Sequence, residues 1–171
     1  MAVLNVTISL QSKLNEKTVQ VNEFNLVNTV AGILRQDLEK AGYNMAGPPY
    51  ITSAAVDTIE VCYQVPPPPA YPAGAPTRVK FYAGPASELA STANPSDRIL
   101  YKSVNGGVPS VVAKGVVGLS FQYFDANGNS TTNVNNIRSF SVDLIMAAGE
   151  KVNLIYPTAE WNTRFFPYGM R

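Results

Sequence analysis

The chain has 171 residues, of which 46% are hydrophobic and 15% are charged, so it is long enough for one domain with a real core. Thirteen basic and twelve acidic residues leave a net charge of +1, which excludes any strong overall attraction to nucleic acid or to an anionic membrane. The sequence contains no histidine, the commonest general base and metal ligand, and this argues against an enzyme. Its single cysteine, Cys62, excludes an intramolecular disulfide and is expected to be a buried, inert thiol.

A long helix is predicted for residues 5–42, because apolar residues recur there about every 3.5 to 3.6 positions and no proline interrupts them. Residues 4–10 taken alone also alternate in the way a strand does. At about 1.5 Å per residue the helix would be roughly 55 Å long, more than a domain of this size can cover. Its first turns are therefore expected to project or to need a partner. The apolar positions of those turns are Leu10, Leu14, Val21 and Phe24.

Strands are predicted wherever apolar and polar residues alternate between turn residues. The proline-rich run at 66–76 is expected to be a stiff connection between two of them. The fold class that follows is α+β, a single domain over residues 1–171 in which the helix packs across an antiparallel β-sheet of five to seven strands, at about 55–166. The predicted strands are 57–65, 77–83, 98–104, 116–125, 137–147 and 159–166, with a further short extended segment at 152–156.

One turn has the spacing of a calcium-binding loop. Asp125, Asn127 and Asn129 place oxygen ligands at alternate positions, as the start of an EF-hand does, but the bidentate glutamate at the far end of such a loop is missing. The same residues suit an ordinary hairpin turn, because Asn and Gly tolerate positive φ. No other cofactor is predicted.

Basic and aromatic residues interleave on two neighbouring predicted strands, which is the pattern of a platform for single-stranded nucleic acid or a sugar. The outer face of ordinary amphipathic strands gives the same pattern, and the neutral net charge favours that interpretation. An exposed cluster would support an alternative function, an extracellular binding module for a glycan, a surface or DNA. The residues concerned are Arg78, Lys80, Phe81, Tyr82, Arg98, Tyr101 and Lys102.

The order of these pieces resembles the W-type minor pilins of type IV pili and the J-type minor pseudopilins of type II secretion. The helix end DLEKAGY matches their typical helix end at Asp37, Leu38, Ala41, Gly42 and Tyr43. The resemblance covers roughly residues 20–147. A later strand–turn–strand unit matches at Val116 or Val117, Leu119, Phe121, Tyr123, Asp125, Gly128, Ile137, Phe140 and Val142.

The resemblance implies a pilin-like fold and a structural, non-enzymatic role in assembling a filament or forming its tip. The expected partners are other minor pilins or pseudopilins, which would meet the helix at Leu10, Leu14, Val21 and Phe24. The implied location is the periplasm or cell surface, with the full-length form anchored in the inner membrane before assembly. The prepilin peptidase site and the very apolar helix start of these families are not in this sequence. We therefore expect a chain from which the membrane anchor has been removed; a naturally anchorless protein would weaken the filament interpretation.

Overall fold

The computed structural model describes residues 2–65, 74–90 and 92–170, with side chains from Lys13 onward and without that of residue 168. The predicted proline-rich connection at residues 66–73 lies outside the described residues. The elements are the helix α1 (Ala2–Leu38) and the strands β1 (Ile51–Ala55), β2 (Thr58–Tyr63), β3 (Thr77–Ala83), β4 (Arg98–Val104), β5 (Ser110–Phe124), β6 (Ser139–Ala147) and β7 (Thr158–Phe165), with short 3-10 turns at Ala86–Leu89 and Tyr168–Met170.

The predicted α+β class is wrong, because the described chain is mainly a seven-stranded antiparallel half-barrel with one N-terminal helix. Many more of the described residues lie in strands than in the helix, so the sheet rather than a helix–sheet sandwich sets the architecture. The helix does not cover the whole sheet; its contacts are mainly with β7 and then with β6. The physical reason is curvature: a twisted sheet that curls on itself buries much of its inner face against its own strands.

The sheet is a simple meander in which each strand pairs with the next one along the chain. The β4 strand pairs with the first half of β5, from Ser110 to Val116. The turn between β1 and β2 folds over the second half of β5, where the Phe121 N–H donates to the Val56 carbonyl at 2.7 Å. The buried Tyr123 hydroxyl lies 3.0 Å from the Ala55 carbonyl and 2.9 Å from the Thr58 carbonyl. These contacts hold the β1 end of the curved sheet on β5.

The second half of α1 supplies the helical side of the core. Asp37 is also buried on this helix, and its Oδ2 lies 2.6 Å from the Lys102 Nζ of β4, which joins the helix to the far side of the half-barrel. The buried residues of α1 and of the turn after it that belong to the main core are Val27, Val30, Leu34, Leu38 and Ala41.

The predicted strand bounds agree with the structure for β3 and β4 and differ by one or two residues for β2, β6 and β7. The β5 strand begins at Ser110, six positions before the predicted start, and β1 was not predicted at all. The β1 sequence ITSAA has only one large apolar residue, Ile51, so its alternation is too weak to show. The segment 152–156 forms a tight turn with a single bridge between Val152 and Ile155 instead of a strand.

Candidate functional site

The exposed half of α1 carries large apolar side chains that the domain does not cover. Leu14, Val21 and Phe24 are 62%, 57% and 59% exposed, whereas Val27, one turn further along, is fully buried. The side chain of Leu10, the fourth predicted interaction residue, lies outside the described residues. The helix thus changes at about residue 26 from a surface element to a core element.

The exposed apolar residues do not simply extend the face that packs on the sheet. At about 100° per residue, Phe24, Val21 and Leu14 lie roughly 80°, 140° and 160° around the helix from the buried Leu34. The residues that share one repeat in the sequence therefore divide into two faces, one packed in the core and one largely exposed.

Two separate cavities, which together we call the cleft, lie where this helix runs beside β7. Its first cavity, of about 440 Å³, is lined by Lys17, Val21 and Phe24 on one side and by Thr158 and Ala159 on the other. Its second cavity, of about 330 Å³, lies further along, between Arg35 of the helix, Glu39 of the turn after it, and residues 163–167. The cleft therefore combines an apolar end with a charged end.

Two carboxyl groups, Glu23 of α1 and Asp97 of the loop before β4, are close enough for their charges to interact. Asp97 is buried, and burial raises the pKa of the Glu23 carboxyl, with the negative charge of Asp97 raising it further. Among the described residues, the Oε2 of Glu23 and the Oδ1 of Asp97 are buried without a hydrogen-bond partner. This pair was not predicted, because the two residues are distant in sequence and neither belongs to a motif.

The calcium candidate forms a turn in which the aspartate already has internal partners. Asp125 Oδ1 accepts hydrogen bonds from the Asn127 and Asn129 backbone N–H groups at 2.8 and 2.9 Å. These bonds, the one from Asn129 foremost, lower the pKa of the Asp125 carboxyl. The described residues contain no group of three or more Asp, Glu, Cys or His side chains able to hold a metal ion.

The predicted basic and aromatic cluster divides between two faces of the sheet. Phe81 is buried in the core, and Lys102 turns inward to Asp37. On the outer face the rings of Tyr82 and Tyr101 stack with their centres 5.4 Å apart. The Lys80 Nζ lies 5.2 Å from the centre of the Tyr82 ring.

The rings of Tyr82 and Tyr101 are already in contact with neighbouring groups. Tyr101 donates to Glu88 at 2.7 Å, and its ring lies against Gly84, where an added Cβ would be 2.8 Å from Tyr101 Cε2. Because Tyr82 has Tyr101 and Lys80 as neighbours, the pair offers little aromatic surface to a base or a sugar. Of the remaining basic residues, Arg78 and Arg98 are exposed.

Cys62 is buried, as predicted, and burial raises the pKa of its thiol. No helix among the described residues is both long and apolar enough to cross a membrane. The chain matches no known protein family and no curated protein sequence.

Proposed function

We propose that this protein is a structural subunit of a helical filament of the kind that minor pilins and minor pseudopilins help to assemble. The observation that carries the proposal is the second apolar face of α1, with Leu14, Val21 and Phe24 largely exposed. A face of this kind is costly in water and gains stability when another subunit covers it. Leu10 lies on the same predicted repeat and is included in the proposed contact.

The proposed contact is between helices of neighbouring subunits. A 3.5-residue repeat suits two helices that wind around each other with a left-handed supercoil. Full burial of a Val, Leu or Phe side chain contributes about 1.5 to 3 kcal/mol, so three or four such residues make a substantial contact that further subunits can reinforce. If the surface that covers this face is a different surface of the next subunit, the contact is heterologous and propagates into a filament.

In this proposal the half-barrel faces outward, and the role is assembly or tip formation rather than catalysis. Other minor pilins or pseudopilins are the proposed partners, and an inner-membrane anchor ahead of Leu4 would hold the subunit in the periplasm before incorporation. The alternative of an extracellular binding module stays a prediction, with little support from the Tyr82–Tyr101 pair because these rings contact each other and their neighbours.

Calcium is not needed for the proposed contact, and the Asp125 turn stays a candidate that a simple measurement tests. Thermal unfolding in calcium and in chelator should give the same midpoint if the turn is held by its own hydrogen bonds to Asn127 and Asn129. A calcium-dependent rise in the midpoint that disappears in Asp125→Ala would assign the turn to calcium.

The test of the function compares two triple variants in the source organism. Leu14→Ser, Val21→Ser and Phe24→Ser together should leave the protein folded but remove it from the sheared filament fraction. The matched control replaces three exposed polar residues of the same turns, Asn15, Asn22 and Asn25, by serine and should co-fractionate like the wild type. Filament incorporation of the apolar triple variant at the wild-type level would overturn the proposal.

A deletion tests the same idea on the isolated chain. If residues 1–20 serve the filament and not the core, removing them should leave a folded monomer by circular dichroism and sedimentation. Unfolding of the shortened chain would show that these residues belong to the domain, and the filament role of the early helix would then fail.

A further inference from the structure

The two edge strands of the sheet, β1 and β7, differ in length and in the contacts that they make. The β1 strand has only five residues, and the turn that follows it is held on β5 by the hydrogen bond between Phe121 and Val56. The β7 strand has eight residues and pairs with β6 from end to end. Among the described residues, no strand pairs with the other side of β7. Every second residue of β7 therefore directs its backbone N–H and C=O away from β6, ready to pair with another strand.

The helix provides a second wall along this edge. The apolar cavity between Phe24 and Ala159 and the charged cavity between Arg35 and Arg164 lie at the two ends of β7. An edge strand with a helix beside it is the arrangement in which extended peptides bind by adding a strand to a sheet. The backbone supplies the pairing, and the side-chain cavities supply the selectivity.

The charged cavity contains an arginine that its neighbours hold in place. The Arg164 guanidinium lies 4.0 Å from the centre of the Phe124 ring and 5.0 Å from that of Phe166, and it donates to the Ser139 hydroxyl at 3.0 Å. A guanidinium has five N–H donors in a fixed plane, so this one keeps donors for a carboxylate.

Arg35 lines the same cavity from the helix. Its side chain is 53% exposed, and its one ion-pair partner among the described residues is Glu39, at 3.7 Å. Two arginines and one glutamate leave this end of the cleft with an excess positive charge. A carboxylate is the complementary group.

We propose that the cleft between α1 and β7 binds an extended, acidic segment of a partner protein, which pairs with β7 as an additional strand. An apolar side chain of the segment occupies the cavity at Val21, Phe24 and Ala159, and a carboxylate lies between Arg35 and Arg164. Ala159 and Arg164 are five positions apart along β7, or about 17 Å at about 3.4 Å per residue. An odd spacing places the two side chains of the segment on opposite faces of the added strand, matching the alternation along β7 between the half-buried Ala159 and the exposed Arg164.

This inference does not rest on the filament role, although Val21 and Phe24 contribute to both surfaces. The decisive residue here is Arg35, which is outside the proposed helix–helix contact. Failure of the peptide experiment would leave the filament experiment unaffected, and the reverse also holds.

The test uses the isotope-labelled full chain and a soluble peptide, Thr-Leu-Thr-Val-Thr-Val-Asp-Thr-Thr, together with the peptide of reversed sequence because the strand direction is open. We expect saturable amide shifts along Thr158–Phe165 and not along Ile51–Ala55. Replacing the aspartate of the peptide by lysine should weaken binding by about tenfold or more. In Arg35→Glu this preference should reverse, so that the lysine peptide binds more tightly.

Arg98→Glu is the matched control, because it makes the same charge change at an exposed arginine away from the cleft, and it should keep the wild-type preference. Arg164→Gln serves as the second variant, with thermal unfolding to confirm that it is folded, and should also lose the preference for aspartate. Absence of saturable binding by either peptide, or an unchanged preference in both variants, would overturn the proposal. Self-association of the free chain that protects the β7 amides would also overturn it, because the occupant would then be a second copy.

Discussion

Gly42 and Gly169 touch backbone to backbone, joining the turn after the helix to the 3-10 turn Tyr168–Met170. A Cβ built on Gly169 would lie 2.0 Å from the Gly42 carbonyl carbon, and one on Gly42 would lie 2.8 Å from that of Gly169. Gly42 also has a φ of +75°, and its N–H donates to the Cys62 carbonyl at 2.8 Å. Next to Gly169, Met170 is buried in the core. The last turn of the chain thus closes the domain over the helix end.

Gly169→Ala should lower the free energy of unfolding by about 1 to 3 kcal/mol, because one of two backbone segments must move to admit the methyl group. Gly149→Ala is the control: a Cβ there would meet no atom within 4 Å, and its change should be small. Urea unfolding of both variants measures the difference. Equal stability of the two would show that the chain end is not packed on Gly42.

Lys102→Met should destabilise the fold by up to about 3 kcal/mol, because it leaves the buried Asp37 carboxylate without its partner at 2.6 Å. The loss should be near the lower end for buried ion pairs, since the Lys102 side chain is still 26% exposed. The double variant with Asp37→Leu should recover much of the stability. A double-mutant cycle in urea checks this, and additive effects of the two changes would contradict a direct interaction.

Local patterns predicted most of the strands because alternation is a property of neighbouring residues. The sequences of β3 and β4 alternate clearly and are bounded by turn residues, and their ends agree with the structure. The curvature that makes the sheet a half-barrel depends on distant pairs such as Tyr123 with the Ala55 carbonyl, 68 residues apart. A local sequence pattern cannot reveal a contact between residues so far apart. The curling of the sheet was therefore missed, and the packing of the helix across the sheet was predicted wrongly.

The candidate sites also divide into features that a local sequence pattern predicts and features that depend on long-range pairing. The exposure of Leu14, Val21 and Phe24 follows from the helix being longer than the domain, which length and periodicity indicate. The cleft at Arg164 depends on which strand becomes an edge and on which side of it the helix lies. Position in the sheet is decided by long-range pairing, and the sequence of β7, TAEWNTRF, looks like that of any amphipathic strand.

Tyr123→Phe should cost about 1 to 2 kcal/mol, because the Ala55 and Thr58 carbonyls lose their shared donor at the point where the β1–β2 turn meets β5. Burial, and to a smaller extent the charge of Asp57, raises the pKa of Tyr123 above its ordinary value of 10.0. The folded protein therefore keeps this proton longer than the unfolded chain, and stability should fall as the pH rises above about 10. The phenylalanine variant should lack that part of the fall. Tyr43→Phe, at a half-exposed ring, is the control and should change little in either measurement.

Glu23→Gln should stabilise the protein at neutral pH and have much less effect in acid. Burial and the nearby Asp97 raise the pKa of Glu23 above its ordinary value of 4.5, so the folded state favours the protonated carboxyl. The contribution of this group to stability is therefore complete below about pH 4.5 and is lost as the pH rises through the folded-state pKa. Glutamine keeps the neutral form at every pH and removes that loss. Thermal unfolding between about pH 4 and pH 8 should show a gap between variant and wild type that opens with rising pH. Glu150→Gln, at an exposed site, should follow the wild-type curve, and a constant gap for Glu23→Gln would contradict the assigned cause.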